Sequence, residues 1–161
     1  MARRKPLDLP TELLDAFDHS ARVSEYLVSV VPAEAWRAVP PGGGRTIAAN
    51  VAHMQSLRRT FAKMGGAPEL PSLDRLKSTP VQAVRALRAS REALVKLFAA
   101  AIRQGDGRVG RMPRRTMSML FYLVQHDAHH RGQITWTLRL LGHELAPVDV
   151  TRLWGWRKLD A

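Results

Sequence analysis

The sequence contains no cysteine among its 161 residues. Disulfides, thiolate zinc sites and a cysteine nucleophile are therefore excluded. No apolar run approaches the roughly 20 residues that a membrane span needs, and no apolar–polar alternation is long enough to predict a strand. The basic residues Arg3, Arg4 and Lys5 precede no apolar segment of the kind found in signal peptides. We therefore expect a cytoplasmic, helical protein that does not enter the membrane.

Acidic residues are scarce relative to basic ones, with 14 Asp and Glu against 25 Lys and Arg and a net charge of +11. A nucleic-acid partner or an anionic ligand would account for such a balance. However, the densest basic group has no interleaved aromatic residue to stack on bases; its members are Arg108, Arg111, Arg114 and Arg115. We therefore disfavour nucleic acid as a partner, and the sequence leaves open whether the loop 108–115 binds another anion.

Apolar residues recur three and four residues apart in four segments, which is the period of an amphipathic helix. Thr79, Pro80 and Gln82 form a capping-box pattern at the start of the third segment. The fold class predicted is all-α, a four-helix bundle with long connections and a C-terminal tail packed on the bundle. We expect a single domain over residues 1–161, with helices at about 11–31, 46–64, 80–104 and 116–141.

Histidine is concentrated in the last predicted helix, where three of the six fall within five consecutive residues. His126 and His130 are four residues apart, so their rings lie about 40° apart around the helix axis and one turn apart along it. Both share an inward row with Leu123 and Ile134, and His53 lies on a predicted inward row of the second helix. Buried imidazoles need polar partners, and one shared divalent cation would satisfy all three.

Each inward histidine could instead be bonded to a neighbouring side chain, but the pair together with the third residue favours a metal site. His129 lies about 100° from His130 around the helix and is a competing ligand. We expect His19 to lie on the surface. His143 follows the glycine that ends the last helix, where its role is expected to be structural.

Three further residues are candidates for contacts around the site. Asp127 could orient a ligand imidazole, although it lies about 100° off the inward row, and a surface aspartate is the alternative. Gln133 could bond a ligand ring or simply pack on a neighbouring helix. Arg91 occupies a seam position, where it must be paired or face a wet pocket that binds a substrate carboxylate. We favour the alternative that its aliphatic stem carries the charge to the surface.

Two segments resemble the DinB family of bacterial four-helix proteins. They are Asn-Val-Ala-His-Met at 50–54 and His-Asp-Ala-His-His-Arg-Gly-Gln-Ile at 126–134, and the order and spacing of the helices match over nearly the whole chain. The resemblance implies a left-handed bundle with a non-sequential helix order. It also implies a metal triad of His53, His126 and His130, with His129 as a non-ligand.

The sequence departs from this family's pattern at two places. A tryptophan often found before the first histidine is absent, and Arg45-Thr46-Ile47 stands there instead. The loop before the fourth helix is unusually basic. Neither departure touches the ligands, but both alter the mouth of the pocket and thereby the substrate.

Three neutral nitrogen ligands leave an open position for water or substrate, as in catalytic metal sites. Zinc in such a site lowers the pKa of bound water to about 7, and it deprotonates a bound thiol. Histidine suits zinc, nickel and iron(II) alike, so the sequence does not choose among these metals. Any reacting thiol must arrive with a cosubstrate, since the protein has no cysteine.

The resemblance implies transfer to or from a low-molecular-weight thiol, thiol-dependent isomerisation or metal-assisted hydrolysis. Our hypothesis is a metal-dependent enzyme acting on a small molecule as a thiol transferase or hydrolase. The alternative is a basic binding or regulatory protein with a structural metal or none. Ferritin-like di-iron proteins and zinc proteases are excluded, because no Glu-x-x-His or His-Glu-x-x-His occurs. Oligomeric state stays open, with a homodimer among the options.

Overall fold

The computed structural model describes residues 6–154, which contain five α-helices and no strand. The helices are α1 (Leu9–Ser29), α2 (Ile47–Met64), α3 (Pro80–Gln104), α4 (Thr116–Leu140) and α5 (Pro147–Leu153). The first four pack against one another and α5 packs onto α1, so the predicted all-α bundle is confirmed. None of the described helices has both the length and the apolar character that crossing a membrane requires.

The ends of the helices follow from local capping interactions. α1 begins two residues before the predicted limit because Asp8 caps it, with the Asp8 carboxylate accepting a hydrogen bond from the Thr11 amide at 3.3 Å. The capping box of α3 is confirmed, since the Thr79 and Gln82 side chains each accept from the other's backbone N–H. Gly105 ends α3 at a φ of +71°, a left-handed conformation that glycine adopts without steric cost.

The helices are not arranged in chain order. α1 and α2 each pack against both α3 and α4, whereas α1 and α2 hardly touch, so the order around the bundle is α1, α3, α2, α4. One apolar cluster joins the end of α1 and the end of α4 to the starts of α2 and α3, and a second cluster joins the opposite ends. α1 and α4 therefore run one way and α2 and α3 the other. The non-sequential order implied by the resemblance is confirmed.

This topology explains the long connections. Because α2 and α3 are parallel neighbours, the chain between them must return along the whole bundle. The returning segment is fixed by two hydrogen bonds to its backbone carbonyls: Gln55 Nε2 donates to Pro71 O at 2.7 Å, and the Trp36 indole donates to Ser78 O at 2.7 Å. Gln55 and Trp36 are both buried, so these bonds also satisfy the polar groups of two buried side chains.

Arg91 lies in the seam between α1 and α3 and is only 6% exposed. Its Nε donates to Glu25 at 2.7 Å and its Nη1 to Asp18 at 2.6 Å. Burial alone would lower the pKa of Arg91, but these two carboxylates raise it. The favoured prediction, a stem leading the charge to the surface, is wrong. The expectation that an inward arginine must be paired is confirmed, but its partners are carboxylates of its own chain and not of a substrate.

The segment after α4 was predicted to pack back on the bundle, and this is confirmed as far as residue 154. Its short helix α5, which the sequence did not predict, is held by a hydrogen bond from the Tyr26 hydroxyl of α1 to Asp149. Arg152 lies 5.5 Å from the centre of the same tyrosine ring. Trp156 lies outside the described residues.

Candidate metal centre

His53 of α2 meets His126 and His130 of α4 across the interface between these two antiparallel helices. The ring centroids are 5.4 Å apart for His53 and His126, 4.9 Å for His53 and His130, and 4.5 Å for His126 and His130. One nitrogen of each ring lies within 4.8 Å of the others. The structure therefore brings together the three predicted ligands in a group that could hold one metal ion.

The spacing of the nitrogens suits a small divalent ion. Nε2 of His126 and Nε2 of His130 are 3.2 Å apart. Two nitrogens bound at roughly 2.0–2.1 Å to a tetrahedral ion lie about 3.3–3.4 Å from each other. His130 is buried, while His53 and His126 are only partly buried. The group is thus reached from solvent on one side, as a site with an open coordination position requires.

Burial and neighbouring charges favour the neutral form of two of these rings. Burial, and next the charge of His126, lower the pKa of His130 to about 4. Burial, and next the charge of Arg45, also lower the pKa of His53. Metals bind the neutral imidazole, so both shifts favour metal binding over protonation.

Gln133 fixes the tautomer of His130. Its Oε1 lies 2.8 Å from His130 Nδ1, so that nitrogen carries the proton and donates it to the carboxamide oxygen. The Nε2 lone pair of His130 consequently points at the other two rings. The contact anticipated between Gln133 and a ligand ring is present, and it is of the kind that orients metal-binding histidines.

Asp127 is completely buried, so the surface alternative considered from the sequence is wrong. It forms an ion pair with Arg58 of α2, which is equally buried. Arg58 also donates from Nη1 to the backbone carbonyl of Leu87 at 3.2 Å. Burial alone would raise the pKa of Asp127, but the charge of Arg58 and hydrogen bonding hold it below its ordinary value. Asp127 is therefore held in its charged form, on the buried side of the histidines.

Arg58 was missed by the reasoning from sequence. The row predicted to face inward on α2 is only partly buried (Ala49, His53, Leu57 and Phe61). The buried stripe instead contains Val51, Met54, Arg58 and Ala62. His53 consequently lies at the edge of the core, where solvent can reach it. The only signal for Arg58 is its position four residues after Met54 on this apolar stripe.

Two polar atoms beneath the histidines lack partners. His126 Nδ1 and Asp127 Oδ1 are buried and have no hydrogen-bond partner within residues 6–154, although they lie only 3.9 Å apart. A neutral His126 can place its proton on only one nitrogen. On Nδ1 the proton faces Asp127, and the Nε2 lone pairs of His126 and His130 then oppose each other. If the proton is on Nε2, it lies between the two Nε2 atoms, but the lone pair of His126 Nδ1 then faces the Asp127 carboxylate. A cation between the rings, a metal ion or a further proton, resolves both conflicts.

The remaining histidines lie outside this group. His129 is exposed, and its ring centroid is 5.1 Å from that of His130 on the outer side of α4. His143 lies 4.0 Å from Glu34 near the end of the bundle, which fits the structural role expected for it. His19 of α1 is half-buried rather than on the surface.

One member of the basic loop reaches the edge of the site. The Arg114 guanidinium stacks 5.0 Å above the Tyr122 ring, and that ring lies 6.0 Å from His126. The neighbouring arginines Arg108, Arg111 and Arg115 are exposed. The loop thus reaches the surroundings of the histidines only through the contact of Arg114 with Tyr122 of α4, while its other arginines face solvent.

Comparison with known proteins gives one family. The sequence matches the model of the DinB family over residues 3–158. A search of curated proteins gives no match.

Proposed function

The chain belongs to the DinB family, and from that premise we propose that it is a metal-dependent enzyme acting on a small molecule. The reaction proposed is transfer to or from a low-molecular-weight thiol, with metal-assisted hydrolysis as the second option. His53, His126 and His130 are the proposed ligands of one zinc, nickel or iron(II) ion.

The observation that carries this proposal is the conflict among the polar atoms around His126. The facing Nε2 atoms of His126 and His130 and the facing Nδ1 and Asp127 Oδ1 cannot both be satisfied by one neutral ring. A site built only for packing would not leave His126 Nδ1 and Asp127 Oδ1 buried without partners, since each such atom costs free energy. The arrangement is understandable if a cation normally occupies the space between the rings.

The protein's own residues prepare this site in three ways. Gln133 holds the proton of His130 on Nδ1, so that Nε2 is the ligand atom. We propose that Asp127, held by Arg58, does the same for His126, so that both α4 histidines present Nε2. His53, at the edge of the core, leaves one side of the centre open.

A divalent metal in such a site supplies hydroxide from water or thiolate from a bound thiol at neutral pH. No side chain of this protein is proposed as the nucleophile. The absence of cysteine means that a reacting thiol enters as cosubstrate. The open side at His53 is where such a molecule would enter.

The first experiment is metal analysis of the purified protein beside three single variants. We expect stoichiometric divalent metal in the wild type and in His129→Ala, and its loss in His53→Ala and His130→Ala. His129→Ala is the matched control, because it removes an adjacent exposed imidazole of the same helix. Full metal occupancy in His53→Ala or His130→Ala would contradict this ligand set.

The second experiment separates the two reactions. The metal-loaded protein is assayed with low-molecular-weight thiols and an electrophilic acceptor, and in parallel with activated esters and amides. Thiol consumption that disappears in His130→Ala supports the transferase. Hydrolysis without thiol that disappears in the same variant supports the hydrolase, and metal-bound protein inactive in both assays contradicts the proposal.

A further inference from the structure

A groove of about 430 Å³ adjoins the histidine centre through Gln133, while the histidines themselves do not line it. It lies between the connection from α1 to α2, the first turn of α2 and the second half of α4. Gln133 belongs to both places, since it lines the groove and also contacts His130 Nδ1. Asn50, another lining residue, precedes His53 by one helical turn. A molecule in this groove would therefore have one end at the candidate metal centre.

Among residues 6–154, Arg45 is the only charged residue that lines the groove. Its side chain is exposed, and no carboxylate within residues 6–154 pairs with it. By contrast, the buried arginines Arg58 and Arg91 are both engaged by carboxylates of the chain. An unengaged guanidinium at the mouth of a groove is a ready partner for a carboxylate.

Asn50 is the second unusual feature of the groove. Its side chain is 3% exposed, and its Oδ1 is buried without a hydrogen-bond partner in the described part of the chain. A buried amide oxygen without a partner is costly, so such atoms in native proteins call for an explanation. A ligand N–H or O–H lying in the groove would supply the missing donor.

Trp136 forms an apolar side of the groove. It follows Gln133 by one turn of α4, and its side chain is 58% exposed. A small-molecule site commonly combines apolar walls with a few polar groups that fix the orientation of the ligand. The groove therefore offers a cation, a buried acceptor and an aromatic surface within reach of the histidines.

We propose that this groove binds the carboxylate-bearing part of the substrate or thiol cosubstrate. Arg45 pairs with the carboxylate, Asn50 accepts a hydrogen bond from an amide or hydroxyl group, and Trp136 covers the carbon chain between them. The ligand class is thus a small anionic molecule with a hydrogen-bond donor. The proposal rests on the proposed function only for the place of the reacting group at the histidines.

The test compares two thiols that differ only in the carboxylate, N-acetyl-L-cysteine and N-acetylcysteamine. Their binding to the metal-loaded protein is measured by calorimetry at low salt. We expect the anionic thiol to bind about tenfold more tightly, the effect of a charge-assisted hydrogen bond at a partly exposed site. In Arg45→Gln this preference should vanish, while metal content and affinity for the neutral thiol stay unchanged.

Two variants serve as controls. Arg111→Gln removes the same charge from an exposed arginine that does not line the groove, and it should keep the preference. Asn50→Leu should weaken both amide-containing thiols equally. It should not lower the stability of the fold, because it removes a buried acceptor that has no partner.

A sulfur-free pair separates this proposal from the proposed function. N-acetyl-L-alanine and N-ethylacetamide are the same two molecules without the thiol, and they are titrated against the metal-free protein. A carboxylate preference in this pair, lost in Arg45→Gln, supports the groove even if neither thiol reaches a metal. The groove is overturned by equal affinities within both pairs, by a preference that survives Arg45→Gln, or by no binding of any of the four probes.

Discussion

Arg91 and Arg58 are both buried arginines that join helices of the bundle, but their surroundings differ. Arg91 joins α3 to α1 and is held by two carboxylates of α1, at 2.6 and 2.7 Å. Arg58 joins α2 to α4 through a single carboxylate, Asp127. In that second cluster three atoms are buried without partners, namely Arg58 Nε, Asp127 Oδ1 and His126 Nδ1.

The contrast distinguishes an ion pair that serves packing from one that serves a site. Around Arg91 the donors and acceptors are matched, as expected where the only task is to hold two helices together. Around Arg58 they are not matched, and the unmatched atoms lie against the proposed ligand His126. The free energy lost to the unpaired groups is most simply understood as the cost of a centre prepared for a cation.

The largest expected effect comes from removing one partner of the Arg58 pair. Arg58→Ala leaves the Asp127 carboxylate buried without its hydrogen-bonded ion-pair partner, with only the more distant charge of Arg131 to offset it, and should lower the free energy of unfolding by about 3–5 kcal/mol. Urea denaturation of the metal-free protein measures this. The double variant Arg58→Met, Asp127→Leu should recover most of the lost stability, because both charges of this pair are removed. A single variant as stable as the wild type would contradict the proposed role of the pair in the fold.

The matching change at the other arginine should be smaller and should not reach the metal. Arg91→Met leaves Glu25 buried, while Asp18 is partly exposed and keeps Arg22 as a partner. We expect a loss of about 2–3 kcal/mol of stability, the value for hydrogen bonds to charged groups. Metal affinity should equal that of the wild type. A large drop in affinity would erase the distinction between the two clusters.

The metal affinity of the double variant Arg58→Met, Asp127→Leu tests whether the Arg58 cluster, unlike the Arg91 cluster, supports the metal site. It should bind metal about 10- to 100-fold more weakly than the wild type, because His126 loses the carboxylate that orients it. Competition with a chelator gives this ratio. Since the double change should restore stability, an affinity loss cannot be attributed to unfolding. An unchanged affinity would show that Asp127 does not position His126.

The smallest expected effect, counted per pH unit, concerns acidification of the metal-free protein. Burial lowers the pKa of His130 to about 4 in the folded state, against about 6.5 for an ordinary histidine. Between these two values the unfolded chain binds the proton and the folded chain does not, so stability is present above pH 6.5 and is lost as the pH falls. The slope for one such group is at most about 1.4 kcal/mol per pH unit. In His130→Gln the urea midpoint should depend less on pH between pH 4 and 6.5 than in the wild type. An equal dependence in both proteins would contradict the lowered pKa of His130.

The sequence predicted those parts of the structure that depend on local rules. The helix limits follow from caps such as Thr79 and from the three- and four-residue spacing of apolar side chains. The pairing of His126 with His130 follows from helix geometry alone. His53 lies together with His126 and His130 as predicted, although its row proved to be the edge of the core rather than its centre.

The parts that the sequence did not predict depend on partners far along the chain. Asp127 looks like a surface residue until Arg58, 69 residues earlier, is known to face it. Arg91 likewise finds Glu25 66 residues away. Helix order has no local signature either, since it follows from which apolar faces meet. Charged residues inside a bundle are therefore the least predictable from one sequence, because their burial depends on partners that spacing does not reveal.

The order of the helices also bears on how the chain folds. The consecutive helices α1 and α2 hardly touch, α3 and α4 share few contacts, and α2 and α3 are neighbours that run in parallel. No two consecutive helices can therefore close early as an antiparallel hairpin. Most packing must wait for segments that are far apart in sequence, which slows folding relative to up-and-down bundles of the same size. The histidine centre, built from α2 and α4, assembles only when that long-range closure is complete.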